Sequence, residues 1–247
     1  MQNDQRILIV GATSAIAMEI ARIYASRGAS LFLVARDEAK LESLRKDLDV
    51  RGASAIRSVV MDINDTADHA AVVKCAAEFL GAVDVALIAH GVLGNSAAWQ
   101  DPKEVAGILR TNFLSAALFM LPLTEVMMPR KSGCIAVISS VAGDRGRGSN
   151  LAYSSSKAGL DAFLSGLRNR LSDSGVSVLT IKPGFVDTPM IAHLKKNPLF
   201  ASPEAVAKSI CTAIALRRDV IYVPAFWRVI MAVVRLIPET VFKRMKL

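Results

Sequence analysis

Tyr153 and Lys157 stand four residues apart in the stretch Leu151 to Lys157, a spacing that puts both on one face of a helix, one turn apart. A free phenol titrates near pH ~10 and is a poor acid or base at neutral pH. A positive charge held beside it favours the phenolate. The pair is therefore suited to proton transfer, with Tyr153 exchanging the proton and Lys157 supplying the charge. An ordinary amphipathic helix carries Tyr and Lys at the same spacing, so the chemistry depends on elements that bring further groups to the same place.

Arg6 to Val10 reads as a short buried strand, and Gly11-Ala12-Thr13-Ser14-Ala15-Ile16-Ala17 turns it into a helix reaching roughly Ser26. Gly11 lets the chain bend tightly, and the unpaired amides and positive dipole end of the helix suit a pyrophosphate. The strand Ser30 to Val34 ends at Ala35-Arg36, and the polar helix Asp37 to Val50 completes a βαβ unit. An acidic residue near the end of such a strand holds the ribose hydroxyls of NAD, whereas an arginine pairs with the extra phosphate of NADP. Arg36 thus favours NADP(H) over NAD(H).

A third strand, Ala55 to Met61, leads into Asp62-Ile63 and a helix over Thr66 to Phe79. A fourth, Val83 to Ala89, leads into His90-Gly91-Val92-Leu93-Gly94, where His90 reads as a turn or packing residue. Asp101 to Met128 is a long helical region containing Asn112, with Pro122 expected to kink or interrupt it. Cys134 to Ile138 is a strand ending at Ser139-Ser140, and the helix Asn150 to Ser172 carries the tyrosine and lysine. Val176 to Ile181 runs into Pro183-Gly184-Phe185-Val186-Asp187-Thr188, and the helix Pro203 to Leu216 precedes a seventh strand, Val220 to Val223. This alternation predicts an α/β fold, a Rossmann-type doubly wound, mainly parallel seven-stranded sheet with helices on both faces. Ligands of such sheets bind beyond the carboxyl ends of the strands, where these motifs fall. Residues 1–223 are expected to form this domain, with 224–247 as its basic, apolar helical extension.

Composition bounds the alternatives. Hydrophobic residues make up 52% of 247 and mean hydropathy is +0.38, which excludes a disordered chain. No run of eighteen or more residues is free of the charge, proline or polar breaks that a spanning helix avoids, and no secretion signal is visible. Cys75, Cys134 and Cys211 suit neither a disulfide framework nor a zinc site, so a reducing cytoplasm is the expected compartment and no metal is expected. The net charge of +8 favours anionic partners. Nucleic acid is not expected among them, because no recognition motif accompanies the basic residues.

In order, these motifs closely resemble the short-chain dehydrogenase/reductase family over residues 6–223: the turn at Gly11, Asp62, Asn112, Ser140 thirteen residues before Tyr153, the Tyr153/Lys157 pair, and Pro183-Gly184 with Thr188. The resemblance implies that Tyr153 exchanges a proton with the substrate oxygen and Ser140 orients that oxygen. Lys157 would bind the nicotinamide ribose and depress the tyrosine pKa, while the Asn112 region holds a water that links Lys157 to solvent. It implies cofactor contacts at Gly11, Thr13, Ser14, Ala15, Ile16, Arg36, Asp62, Ile63, Gly91, Tyr153, Lys157, Pro183, Gly184, Val186 and Thr188, with Asp62 on the adenine and Thr188 on the carboxamide. Two departures stand out. Ala15 and Ala17 replace the family's later phosphate-turn glycines, and Ile88-Ala89-His90-Gly91 replaces its asparagine-rich motif.

Val141 to Arg145, Met190 to Leu199 and Tyr222 to Trp227 further resemble the decaprenylphosphoryl-2-keto-pentose reductase subgroup, whose members reduce a lipid-linked keto sugar. The implied activity is NADP(H)-dependent reduction of a keto group on a lipid-linked or amphipathic sugar. A broad ketone, hydroxysteroid or 3-oxoacyl reductase and a non-catalytic nucleotide-binding scaffold stand as alternatives. Phe226 to Leu247 interleaves apolar residues with Arg228 and Arg235 and ends on Lys243, Arg244 and Lys246. Two readings stand for it: an interfacial helix at an anionic membrane surface, or a cover for the sheet edge or a partner subunit. Arg145, Arg147, His193, Lys195 and Lys196 are candidate contacts to a substrate phosphate. The family also implies a homo-oligomer.

Overall fold

The computed structural model describes residues 5–192, 195 and 197–245. Its strands are β1 (Arg6–Val10), β2 (Ser30–Ala35), β3 (Ala55–Val60), β4 (Val85–Ile88), β5 (Gly133–Ile138), β6 (Val176–Pro183) and β7 (Val220–Val223), and its helices are α1 (Ala15–Ala25), α2 (Glu38–Val50), α3 (His69–Leu80), α4 (Pro102–Leu109), α5 (Ser115–Met127), α6 (Leu151–Arg170), α7 (Pro203–Ala215), α8 (Trp227–Leu236) and α9 (Glu239–Phe242). All seven strands pair in parallel, in the order β3-β2-β1-β4-β5-β6-β7. Apolar residues run almost unbroken along the strands because both faces of the sheet are covered. Ile7, Ile9, Leu31 and Leu33 pack with α1, α2 and α7 on one face. Leu8, Val10, Phe32 and Val34 pack with α3, α5 and α6 on the other.

The chain leaves β1 toward β2 on one side, and β4 joins β1 on the other, so the strand order reverses between β1 and β4. A reversal of this kind opens a crevice at the carboxyl ends, where ligands of doubly wound sheets sit. Gly11 follows β1 there with φ +76°, and a Cβ on it would lie 2.5 Å from the His90 nitrogen beyond β4. Glycine is therefore required both by the left-handed backbone and by the close approach of the neighbouring strand's loop.

The apolar region 102–130 is long enough and hydrophobic enough to cross a membrane by length and composition, yet Phe119, Met120 and Leu123 are wholly buried against the sheet. Its irregularity is not where Pro122 suggested. Helix α5 continues through Pro122, and the break is a π turn over Arg110–Leu114 that separates α4 from α5 and contains Asn112.

Candidate active site

A cavity of about 1310 Å³ runs along the carboxyl ends of the strands. Its walls include Arg36 and Lys40 at one end, Thr13 to Ile16 in the middle, and Gly91, Ser140, Tyr153, Lys157, Pro183, Gly184, Val186 and Thr188 toward the other. Single small ligands occupy about 300–1,000 Å³, so this volume suits an extended ligand with a second molecule beside it. Among the residues expected from sequence, Gly11, Asp62, Ile63 and Asn112 do not line it. Gly11 shapes the turn from beneath. The Asp62 carboxylate accepts the Asn64 amide at 2.9 Å, and the Ile63 carbonyl is bonded by His69 Nε2 at 2.8 Å.

The middle of the cavity fits a phosphate-bearing ligand. Ser14 is the N-cap of α1 but makes no side-chain capping bond, and its buried hydroxyl has no partner among the described residues. The first amides of a helix likewise have no intrahelical acceptor. Ala15 adds only a methyl to this wall, and Ala17 is fully buried in the core below. At the Arg36 end, the Asp37 carboxylate caps α2 by accepting the Lys40 amide at 3.0 Å and pairs with Lys40 Nζ at 3.1 Å. The acidic residue beside Arg36 is thus already committed.

The other end holds the titrating groups. Ser140 ends the extended segment after β5 and caps the next turn, its Oγ accepting the Ala142 amide at 3.1 Å. Tyr153 and Lys157 lie on the first turns of α6, with Nζ 5.9 Å from the phenol ring centre. Lys157 is almost fully buried and donates to the Ile138 carbonyl at 2.9 Å. Burial pushes the Tyr153 phenol above its ordinary range, with the Ser140 hydroxyl pulling it partly back. Burial also pulls the Lys157 ammonium down to about 8, against the opposing pull of Asp161 one turn on.

Asn112 holds this arrangement from behind. Its Oδ1 accepts the Val92 amide at 2.8 Å and its Nδ2 donates to the Val92 carbonyl at 2.8 Å and to Ser156 Oγ at 3.1 Å. A Cβ on Gly91 would lie 3.2 Å from Asn112 Oδ1 and 3.6 Å from Lys157 Nζ. The anchoring that the altered motif after β4 put in question comes from Asn112 and from His90, whose Nε2 meets Ser115 Oγ at 3.0 Å. Burial, reinforced by the Lys157 charge, lowers the His90 pKa to about 3, so it packs as a neutral ring.

Trp227, at the start of α8, also lines this end of the cavity, a position that neither its place in the Tyr222 to Trp227 stretch nor its apolar neighbours in the tail reveal. A Cβ on Gly184 would fall 1.9 Å from its Nε1, so Gly184 is the seat of the indole. Phe185 meets Trp227 edge-on at 5.3 Å and stacks on Phe200 at 5.3 Å, while the Val186–Ala201 bridge closes the base of the loop. The two arginines expected to serve a phosphate have different surroundings. Arg145 donates to the carbonyls of Arg235 (3.1 Å) and Ile237 (2.9 Å), pairs with Glu239 at 2.7 Å and lies over the Phe242 ring at 4.1 Å. It binds the end of α8, where unpaired carbonyls and the dipole favour a cation, and is not available to a substrate. Arg147 lines the cavity. His193 and Lys196 lie outside the described residues, and Lys195 is exposed.

An uncapped helix start suited to a phosphate at the switch point of a parallel sheet, in one cavity with Ser140, Tyr153 and Lys157, is the arrangement of a dinucleotide-dependent oxidoreductase. Residues 5–199 match the short chain dehydrogenase family, to which this chain belongs. It is 34% identical over 240 residues to an uncharacterized oxidoreductase of Mycobacterium tuberculosis, covering 97% of this chain and 96% of that one. It is 30% identical to the ketoacyl reductase HetN of Nostoc, covering 84% and 74% respectively. The structure of an actinorhodin polyketide ketoreductase with NADPH superposes with a TM-score of 0.80 at 25% identity, covering 92% of this chain and 98% of the other. The chain is an NAD(P)-dependent oxidoreductase of the short-chain type.

Proposed function

We propose that this enzyme is an NADP(H)-dependent reductase of a keto group carried by a lipid-linked or otherwise amphipathic keto sugar. The observation that carries the reading is the meeting of Ser140, Tyr153 and Lys157 on one wall of the cavity that also contains Arg36 and the Ser14 turn. When bound, the nicotinamide supplies the hydride. Tyr153, kept protonated through neutral pH by burial, donates its proton to the forming alkoxide, and Ser140 holds that oxygen by a hydrogen bond. Lys157 stabilises the phenolate left behind and would hold the ribose of the cofactor, with the Asn112 turn fixing its surroundings. Thr188, which lines the same cavity, would meet the carboxamide. The preference for NADP(H) is supported by Arg36 and Lys40 on the cavity wall and by the engagement of Asp37 as a helix cap.

The amphipathic substrate is supported by the outer face of α8. Val229, Val233 and Leu236 are 68%, 60% and 82% exposed, at helical spacing and beside the exposed Arg228 and Arg235. This is the pattern of a helix lying in an anionic interface, and Trp227 on the same helix lines the cavity. Peripheral attachment at the inner face of the membrane is therefore part of the proposal. Assembly into a homo-oligomer is supported by exposed Leu114, Leu121 and Met128 along the 110–128 region. A second reading, a ketoacyl reductase, is favoured by the Nostoc relative.

NADPH oxidation against lipid-linked keto sugars, acyl ketones and steroids decides between them. Tyr153→Phe is expected to cut turnover about 10²–10⁴-fold, the usual contribution of a positioned proton donor, and NADH is expected to serve less well than NADPH. Turnover of acyl ketones alone selects the second reading, and silence across the panel selects a scaffold. Val229→Glu with Val233→Glu is expected to abolish partition onto phosphatidylglycerol vesicles; unchanged partition removes the membrane contact.

A further inference from the structure

Lys157 is buried, and its Nζ donates to the neutral Ile138 carbonyl at 2.9 Å, with no carboxylate in contact among the described residues. An ammonium taken out of water is costly unless an anion offsets it. The carboxylate placed to do so is Asp161, one turn on along α6. Gly143, in the turn after Ser140, packs against both residues: a Cβ on it would lie 2.7 Å from Asp161 Oδ2 and 3.0 Å from the Lys157 carbonyl. Both Asp161 oxygens are shut off from solvent.

Asp161 does not serve Lys157 alone. Lys182 on β6 pairs with Asp161 Oδ2 at 2.9 Å and also with Asp144. The Asp144 side chain is 2% exposed and accepts from the Tyr222 hydroxyl at 2.8 Å. Two carboxylates thus share one ammonium, which leaves a negative charge over, and Lys157 is the next cation along. The series Lys157, Asp161, Lys182, Asp144 alternates in sign and carries no net charge. Its two lysines differ accordingly. Burial works against the Lys182 ammonium, yet its bonds to Asp144 and Asp161 hold it above its ordinary range, whereas burial draws Lys157 down against the pull of Asp161 alone. The other titratable groups facing Lys157 add no charge. Tyr153 on α6 is held protonated by burial, and His90 from the loop after β4 is neutral.

Resting on the reductase reading above, we infer that Asp144, Lys182 and Asp161 are positioning residues of the reaction, which set the charge of Lys157 from behind α6. Asp161 acts on it directly. Asp144 acts through Lys182, by occupying that ammonium so that part of the Asp161 field is left for Lys157. None of the three lines the cavity, so they touch neither substrate nor cofactor. Their effect falls on the step in which Tyr153 gives up its proton, because a charged Lys157 favours the forming phenolate and a neutral amine does not.

The test is an NMR titration of the full chain with lysine isotope-labelled at Cε, the Lys157 signal being assigned by its loss in Lys157→Arg. Asp161→Asn is expected to lower the Lys157 titration by about one pH unit or more, the effect of losing a nearby opposite charge, and Asp144→Asn to lower it by less. Lys182→Gln is expected to raise it, since all of Asp161 then acts on Lys157. Tyr222→Phe removes a hydrogen bond from Asp144 but no charge, and is expected to leave the titration in place. A fold merely loosened by these changes would hydrate Lys157 and raise its titration in every variant. No fall in either Asn variant, no rise in Lys182→Gln, or a shift in Tyr222→Phe therefore overturns the inference. Should Asp144→Asn not fold, Asp161→Asn and Lys182→Gln decide by their opposite directions. With a ketone of the panel above, the alkaline limb of kcat/KM is expected to move with the NMR titration in each variant, and a limb that stays in place overturns the role in the reaction. Absence of turnover by wild type removes the reductase reading separately, and the NMR titration still decides whether the series sets the Lys157 charge.

Discussion

The two ends of the cavity are built differently. The cofactor end is made of main chain at the edge of a sheet: a glycine turn seated against the next strand's loop, helix amides, and a capped α2. Its geometry follows from short-range structure over a buried core. The substrate end is assembled from segments far apart in sequence, namely the loop before α6, the loop after β6 and the C-terminal helices, joined by side chains. Arg145 reaches 90 to 94 residues along the chain to hold the tail, and Lys182 on β6 gathers Asp144, Asp161 and, through Asp144, Tyr222 of β7. One end can thus serve any ligand of the same phosphate chemistry, while the other varies with a few long-range contacts.

This contrast can be broken first at Lys182. Replacing it by Met leaves Asp144 and Asp161 buried without their cation, and removing one partner of a buried pair costs about 3–5 kcal/mol. Thermal or urea denaturation should register that loss, and a change below about 1 kcal/mol would mean that the cluster is not what unites the substrate end. Gly11→Ala addresses the opposite end. It imposes a left-handed backbone on a side chain, a strain of about 1–3 kcal/mol, with a methyl driven into the His90 main chain. Weaker NADPH binding is expected, seen by fluorescence titration, with the preference among ketones retained.

Arg145→Met should be milder. It releases hydrogen bonds to exposed parts of the tail, so proteolysis after residue 223 is expected to quicken and KM for the ketone to rise a few-fold, with NADPH affinity unaltered. A fall in NADPH affinity would blur the division between the ends. The smallest effect is on pH dependence. Lys157, lowered to about 8 by burial, loses its charge as pH rises through that value, so kcat/KM for reduction should be flat below it and decline above. Asp161 holds the lysine up, and Asp161→Asn should move the break to lower pH. A break that stays in place would assign it to another group.

Most of the architecture was legible because it is local. Strand length, helix length and the glycine turn are set by neighbours in sequence, and the continuous apolar strands announced a sheet buried on both faces. The differences have physical causes. Pro122 is expected from sequence to kink or interrupt its helix; α5 runs through it without interruption, and the discontinuity is a π turn at Asn112, whose polar side chain bonds to Val92 and Ser156. Trp227 carried a signal, since it closes the Tyr222 to Trp227 stretch, but its apolar neighbours pointed to the tail and away from Gly184.

By itself the chain determined that Tyr153 and Lys157 share a helical face, because the helix repeat makes that a matter of spacing. It also determined that a glycine turn follows the first strand. Only the tertiary structure decided which of two arginines two residues apart is held by the tail and which faces the cavity. That choice depends on carbonyls and a carboxylate some ninety residues away, and no local spacing encodes where they fold.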